Sequence, residues 1–310
     1  MAEELDGAKR TLKGYVGISL RGLCMGAADV VPGVSGGTMA LITGIYEELI
    51  LSIRSFDSQA LRLLVGLRFK ALLNHVRWPF LVALLAGVLF AIFSLSRGIT
   101  WLLDNRPVLL WSFFFGLVLA SVYTVGKRIR WRPSTLIAGG GAALVAYVLV
   151  GLVPIEMPHS PLYIFGSAVI AICAMILPGI SGSFMLVLMG QYQYILNAVN
   201  ERDFVTIGLF GAGAVLGLMT FARVLGWIFG RFHDLTIAIL TGLMLGSLRK
   251  IWPWKETVET MVNRHGKEVP VIELNQLPDA FTNEVFGALG LAILGLAFVL
   301  VLEYFAADEQ

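Results

Sequence analysis

Two short stretches carry hydroxyl groups and backbone breakers where the surrounding sequence is almost purely apolar. The first is Pro32, Gly33, Val34, Ser35, Gly36, Gly37 and Thr38; the second is Pro178, Gly179, Ile180, Ser181, Gly182 and Ser183. Each proline lacks an N–H donor and stops the helix before it, and the glycines permit a tight reversal. A new helix is expected from about Gly37 and from about Ser183, with Ser35, Thr38, Ser181 and Ser183 suited to cap it. First-turn N–H groups and the positive end of the helix dipole would then face an anion, phosphate being the commonest occupant. The plainer alternative is a pair of hairpin turns whose glycines allow close packing. Neither stretch is a nucleotide-binding P-loop, because the lysine is missing and apolar helices flank each one.

Charged groups surround the first stretch more than the second. Asp29 precedes the first break where the second has Met175, and Glu47 and Glu48 stand where the second has Gln193 and Tyr194. Arg21 and Asp29 fall on adjoining faces of one helix. Either they form a buried ion pair, or Arg21 binds an anionic head group while Asp29 takes a coupling proton or cation. Arg97 and Arg223 also lie inside apolar segments, where an unpaired charge costs about 3 kcal/mol at mid-bilayer. They either snorkel beside Trp101 and Trp227 or catch a head group; Glu47 is a further candidate for head-group contact or gating. Only four histidines occur, and no HExxH motif, Cys/His cluster or Ser–His–Asp set is present. No catalytic residue, metal site or resident cofactor is expected, although a coupling proton or sodium ion fits.

The elements that must position these residues are membrane helices. Of 310 residues 57% are hydrophobic and 14% charged, and the mean hydropathy is +0.80. Val108–Gly126, Ser134–Val153, Phe204–Ala222 and Val285–Leu302 are each about long enough to cross a ~30 Å hydrocarbon core. The N-terminus does not read as a cleaved signal peptide, since its charges are mixed and Arg21 interrupts the apolar stretch. Cys24 and Cys173 lie in apolar segments and read as small buried side chains.

The sequence also repeats. Offset by 146 residues, Val30–Ile50 matches Ile176–Leu196 at seven of 21 positions, including both Pro-Gly pairs and Tyr46/Tyr192. Offset by 126, Ala86–Leu103 matches Ala212–Phe229, with Arg97 on Arg223 and Trp101 on Trp227, and Gly116–Ser121 matches Gly242–Ser247. The change of offset marks an insertion between Leu51 and Trp78. Each half thus holds a broken hairpin and two spans, and one linker span joins the halves. An odd number of crossings separates them, so the second half is expected to enter from the opposite side. Inverted repeats with interrupted helices meeting near the midplane are the construction of many secondary transporters.

The expected fold is an all-α polytopic membrane protein. Its parts are an N-terminal segment over 1–14, a first repeat over 15–132 with hairpin 15–50 and cytoplasmic insertion 51–78, and a linker span over 133–155. A second repeat covers 156–251 with hairpin 160–198, followed by a loop over 252–283 and a C-terminal span and tail over 284–310. Thirteen lysines and arginines fall on the side of the N-terminus and seven on the other, most of the seven in or beside the 252–283 loop. Both termini are therefore expected to be cytoplasmic. The bilayer is the expected surroundings, no nucleic-acid partner is expected, and the oligomeric state is left open.

The run RGLCMGAADVVPGVSGGTMALITGIYEELI and its echo ILPGISGSFMLVLMGQYQYIL resemble the prokaryotic polyprenyl-phosphate transporter family over nearly the whole chain. The resemblance implies return of undecaprenyl phosphate, the carrier lipid of cell-wall glycan synthesis, from the outer to the inner leaflet of the cytoplasmic membrane. It implies two inverted repeats with re-entrant helices. It places the head-group site on Arg21, Asp29, Pro32, Gly33, Ser35, Gly36, Gly37 and Thr38, and on Pro178, Gly179, Ser181, Gly182 and Ser183. Undecaprenyl-pyrophosphate phosphatases share re-entrant hairpins but carry an arginine after the motif serine. Gly36 and Gly182 stand at those positions here, which removes charge stabilisation needed for phosphoryl cleavage. A small inorganic anion carrier is the third alternative.

Overall fold

In a computed structural model the chain is described over residues 10–31, 34–262, 268–278 and 280–307. These residues form fourteen helices and one two-stranded hairpin. The protein is an all-α polytopic membrane protein, with four helices long and apolar enough to cross a bilayer. They are α6 (Trp78–Asn105), α7 (Pro107–Gly126), α12 (Phe204–Arg231) and α14 (Asn283–Ala307). Shorter apolar helices are α8 (Pro133–Leu149), α9 (Pro161–Ile176) and α13 (His233–Ser247). The expected span Phe204–Ala222 runs nine residues longer, to Arg231, and Ser134–Val153 ends early at Leu149. At 1.5 Å per residue the 28-residue helices α6 and α12 exceed the hydrocarbon thickness, which a tilt accommodates.

Helix boundaries recur at the sequence offsets. The first broken hairpin comprises α1 (Leu12–Asp29) and α2 (Gly36–Ile42), followed by the amphipathic α3 (Tyr46–Arg54). In the second half α9 is followed by α10 (Gly182–Leu188) and α11 (Tyr192–Glu201), and α10 lies 146 residues beyond α2 at both ends. Both returning helices begin one residue earlier than expected, at Gly36 and Gly182. Each ends in a glycine with positive φ, +75° at Gly44 and +67° at Gly190, a left-handed turn that a side chain would strain.

Packing follows the same pairing. α1 lies against α6 and α9 against α12; α7 lies against α14 and α13 against α8. At the last two interfaces the backbones nearly touch. A Cβ on Gly116 would strike the Ala292 carbonyl, one on Gly295 that of Phe113, one on Gly242 that of Gly139, and one on Gly246 that of Ala143. Small residues are what let apolar helices approach this closely in lipid, where there is no hydrophobic drive between them.

The insertion folds into α4 (Ser58–Val65) and α5 (Phe69–His75). Asp57 caps α4 by accepting from the N–H groups of Gln59 and Ala60, each at 2.9 Å, and also contacts His75 Nε2 at 3.0 Å. Leu61, Val65, Leu67 and Phe69 remain exposed among Arg62, Arg68 and Lys70, a composition suited to the membrane surface. The 252–283 loop carries structure that the sequence reading did not anticipate: β1 (Lys255–Val262) pairs antiparallel with β2 (Glu268–Asn275).

Candidate functional site

The two breaks meet. Thr38 on α2 is fully buried, and its Oγ1 accepts from the Gly179 N–H at 3.0 Å. Tyr46 at the start of α3 is also buried and donates its hydroxyl to the Ile176 carbonyl at 3.0 Å. A Cβ on Gly37 would stand 2.7 Å from that same carbonyl. Ser35 lies within reach of the Leu177 carbonyl at 3.4 Å. The first turn of α2 is therefore seated on the C-terminal end of α9, and only glycine fits at position 37.

The donors expected to face an anion at the first break are engaged within the chain. Asp29 Oδ1 accepts from the Gly36 N–H at 2.7 Å, Ser35 Oγ accepts from the Gly37 N–H at 3.2 Å, and the Ser35 carbonyl accepts from the Thr38 N–H at 2.9 Å. The carboxylate of Asp29 occupies the place at the helix N-terminus where a phosphate oxygen would sit. A Cβ on Gly36 would lie 2.5 Å from Asp29 Oδ2. Ser35 caps as expected; Thr38 does not, because its hydroxyl serves Gly179 instead. Pro32 and Gly33 lie outside the described residues.

The second break differs. Gly179 adopts φ +84°, and Pro178 and Gly182 are buried. The N-terminus of α10 has no side-chain cap, contrary to the expectation for Ser181 and Ser183, whose hydroxyls bond each other at 2.8 Å in an exposed position. Met175, aligned with Asp29, brings no carboxylate and is 46% exposed. All seven residues of α2 are buried, against only Gly182 and Leu188 in α10. In this conformation the first break is closed by packing and the second is open along α10.

The mouths of the hairpins are pinned by aligned residues of different chemistry. Arg10 grips Glu48 through two bonds of 2.6 and 2.9 Å. Tyr194, the counterpart of Glu48, stacks on His159 with ring centroids 4.2 Å apart and planes 3° from parallel. Glu47 contacts His233 Nε2 at 3.0 Å, tying α3 to the start of α13. Arg21 is half-buried on α1, whereas Arg97 and Arg223 are exposed on α6 and α12. No hydrogen bond or ion pair joins Arg97 or Arg223 to the breaks among the described residues. Tyr46 was missed as a site residue, although its identity with Tyr192 in the repeat was a visible signal.

Among the described residues no group of His, Cys, Asp and Glu could hold a metal ion. The arrangement offers hydroxyls, backbone donors and one carboxylate at the meeting point of two interrupted helices. Hydroxyls and backbone N–H groups at helix starts are the kind of donors that bind anions.

Comparison with known proteins adds the relatives. Residues 25–269 match the family model described as undecaprenyl phosphate translocase-like. A polyprenyl-phosphate transporter of Vibrio cholerae is 42% identical over 302 residues, 94% of this chain and 97% of that protein. A polyprenyl-phosphate transporter of Staphylococcus aureus is 30% identical over 256 residues, 76% of this chain and 85% of that protein. No solved structure matches the chain.

Proposed function

Because the chain belongs to the undecaprenyl phosphate translocase-like family, we propose that it carries polyprenyl phosphate between membrane leaflets. The direction is from the outer to the inner leaflet of a prokaryotic cytoplasmic membrane, with both termini cytoplasmic, so that undecaprenyl phosphate is reused as the carrier lipid of cell-wall glycan synthesis. The observation that carries this reading is the contact of Thr38 with Gly179, which sets two interrupted helices tip to tip within an apolar bundle. The prenyl tail stays in lipid while the head group crosses through this polar junction. An anion crossing unaided would lose its hydration at prohibitive cost; backbone donors, Ser35, Ser181, Ser183 and Arg21 replace it.

The two halves act as inverted repeats that expose the junction alternately. Inward movement of the anion works against an inside-negative potential at about 2.3 kcal/mol per charge per 100 mV, and an inward cation offsets this. Asp29 is the carrier: a proton on its carboxylate removes the charge at α2 and frees the Gly36 N–H for a phosphate oxygen. Proton and phosphate then enter together, because each makes room for the other.

The experiment is leaflet-resolved transport in proteoliposomes, with inorganic phosphate release followed in parallel. Expected is movement of intact lipid phosphate, slowed by Arg21→Ala and Ser35→Ala. Release of inorganic phosphate would replace the carrier by a phosphatase. Full activity in both variants would remove the site assignment.

A further inference from the structure

Beyond the junction, a cationic cluster lies beside the open second break. Lys250 follows α13, whose Ser247 Oγ would lie 2.8 Å from a Cβ on Gly179. The Lys250 ammonium stands 5.4 Å from the centroid of the Phe184 ring, and Phe184 is the chain neighbour of Ser183 in the exposed Ser181–Ser183 pair. On its other side Lys250 meets Glu273 Oε2 at 3.2 Å, and Lys255 reaches the same oxygen at 3.3 Å. The Lys255 side chain is only 7% exposed, with its ammonium 4.3 Å from the centroid of Trp111 on α7.

Two ammonium groups thus share one carboxylate oxygen at the edge of an apolar bundle. The cluster carries one unneutralised positive charge, and burial pushes Lys255 down to about 8, with Lys250 adding to the effect and Glu273 opposing it. A phosphomonoester carries one to two charges on three terminal oxygens and matches two ammonium groups better than a single carboxylate does. Glu273 and Lys255 sit on the paired strands β2 and β1, so Glu273 leaves the two ammonium groups by rotation of its own side chain, which is 19% exposed.

We propose that Lys250 and Lys255, with the hydroxyls of Ser181 and Ser183, form the entry site for the phosphate head group on the β-hairpin face, and that Glu273 is an internal anion that holds this site shut until the head group displaces it. The proposal rests on the carrier reading above and names where the lipid is first caught.

The test uses the full chain in proteoliposomes with decaprenyl phosphate supplied to that face. Lys250→Gln is expected to raise the lipid concentration for half-maximal transport about tenfold or more, Lys250→Arg to restore it, and Glu273→Gln to lower it several-fold. If the cluster only anchors the hairpin, Lys250→Gln and Glu273→Gln shift transport in the same direction, and the proposal fails. If the wild-type chain moves no lipid, the carrier reading fails instead. A second readout is protection of Lys250 from an amine-reactive label. Protection by vesicles containing decaprenyl phosphate but not decaprenol supports the site. Protection by inorganic phosphate alone, or by neither, overturns the lipid assignment.

Discussion

At the scale of single residues, the junction depends on a few groups that satisfy one another. Thr38→Val keeps the shape of the side chain but leaves the Gly179 N–H without its acceptor. The expected loss is about 1–3 kcal/mol, visible as a lower unfolding midpoint in detergent, with Thr38→Ser close to wild type. Asp29→Asn retains an oxygen for the Gly36 N–H while removing the titrating group. It is expected to fold normally and to transport without response to a pH gradient; an undiminished response would exclude Asp29 as the proton carrier. Gly36→Ala puts a methyl against the Asp29 carboxylate and is expected to lower stability. The breaks themselves were legible in the sequence, because proline and glycine act locally. The hydrogen-bond partners were not: Thr38 was assigned to its own helix, but its acceptor serves a residue 141 positions away. Likewise Asp29 is expected to face Arg21 or a ligand, whereas its carboxylate accepts from the Gly36 N–H seven residues on, a contact across the break that helical periodicity does not give.

At the scale of elements, helix ends recur at the two sequence offsets, because their proline and glycine stops are local signals that loops lack. Periodic apolar sequence with proline and glycine stops places α2 and α10 to within a residue at their starts, whereas β1 and β2 form by pairing across the loop between them. The insertion offers a pH test. The Ala60 N–H, opposed by slight burial and helped by His75, holds the Asp57 carboxyl below its ordinary value. A lowered folded-state pKa means that the unfolded chain takes up the proton first as pH falls. The cap's contribution is therefore complete above the ordinary carboxylate pKa of about 3.9 and is lost as pH drops through the folded value. Protection of the α4 amides from hydrogen exchange, corrected for intrinsic rates, should hold as pH falls to about 4 and decline below it. Asp57→Asn should abolish that difference.

At the scale of the whole molecule, packing crosses between distant parts of the chain: the linker helix α8 packs on α13, and the C-terminal helix α14 packs on α7. A chain divided in the segment after α8 should therefore recover transport when both pieces are made together, and neither piece should be active alone. Recovery of activity by the first piece by itself would contradict this crossed packing. The glycine contacts between α7 and α14 bear also on how the protein is made. The bare backbone around Gly116 is made before its partner, because Ala292 lies 176 positions further along the chain (292 − 116). At about 5–20 residues per second the wait is on the order of 10 s, during which α7 presents an unfilled groove to lipid or to an insertion chaperone. Quality control acting in that interval would see a nascent chain whose α7 groove is filled only once α14 has been made.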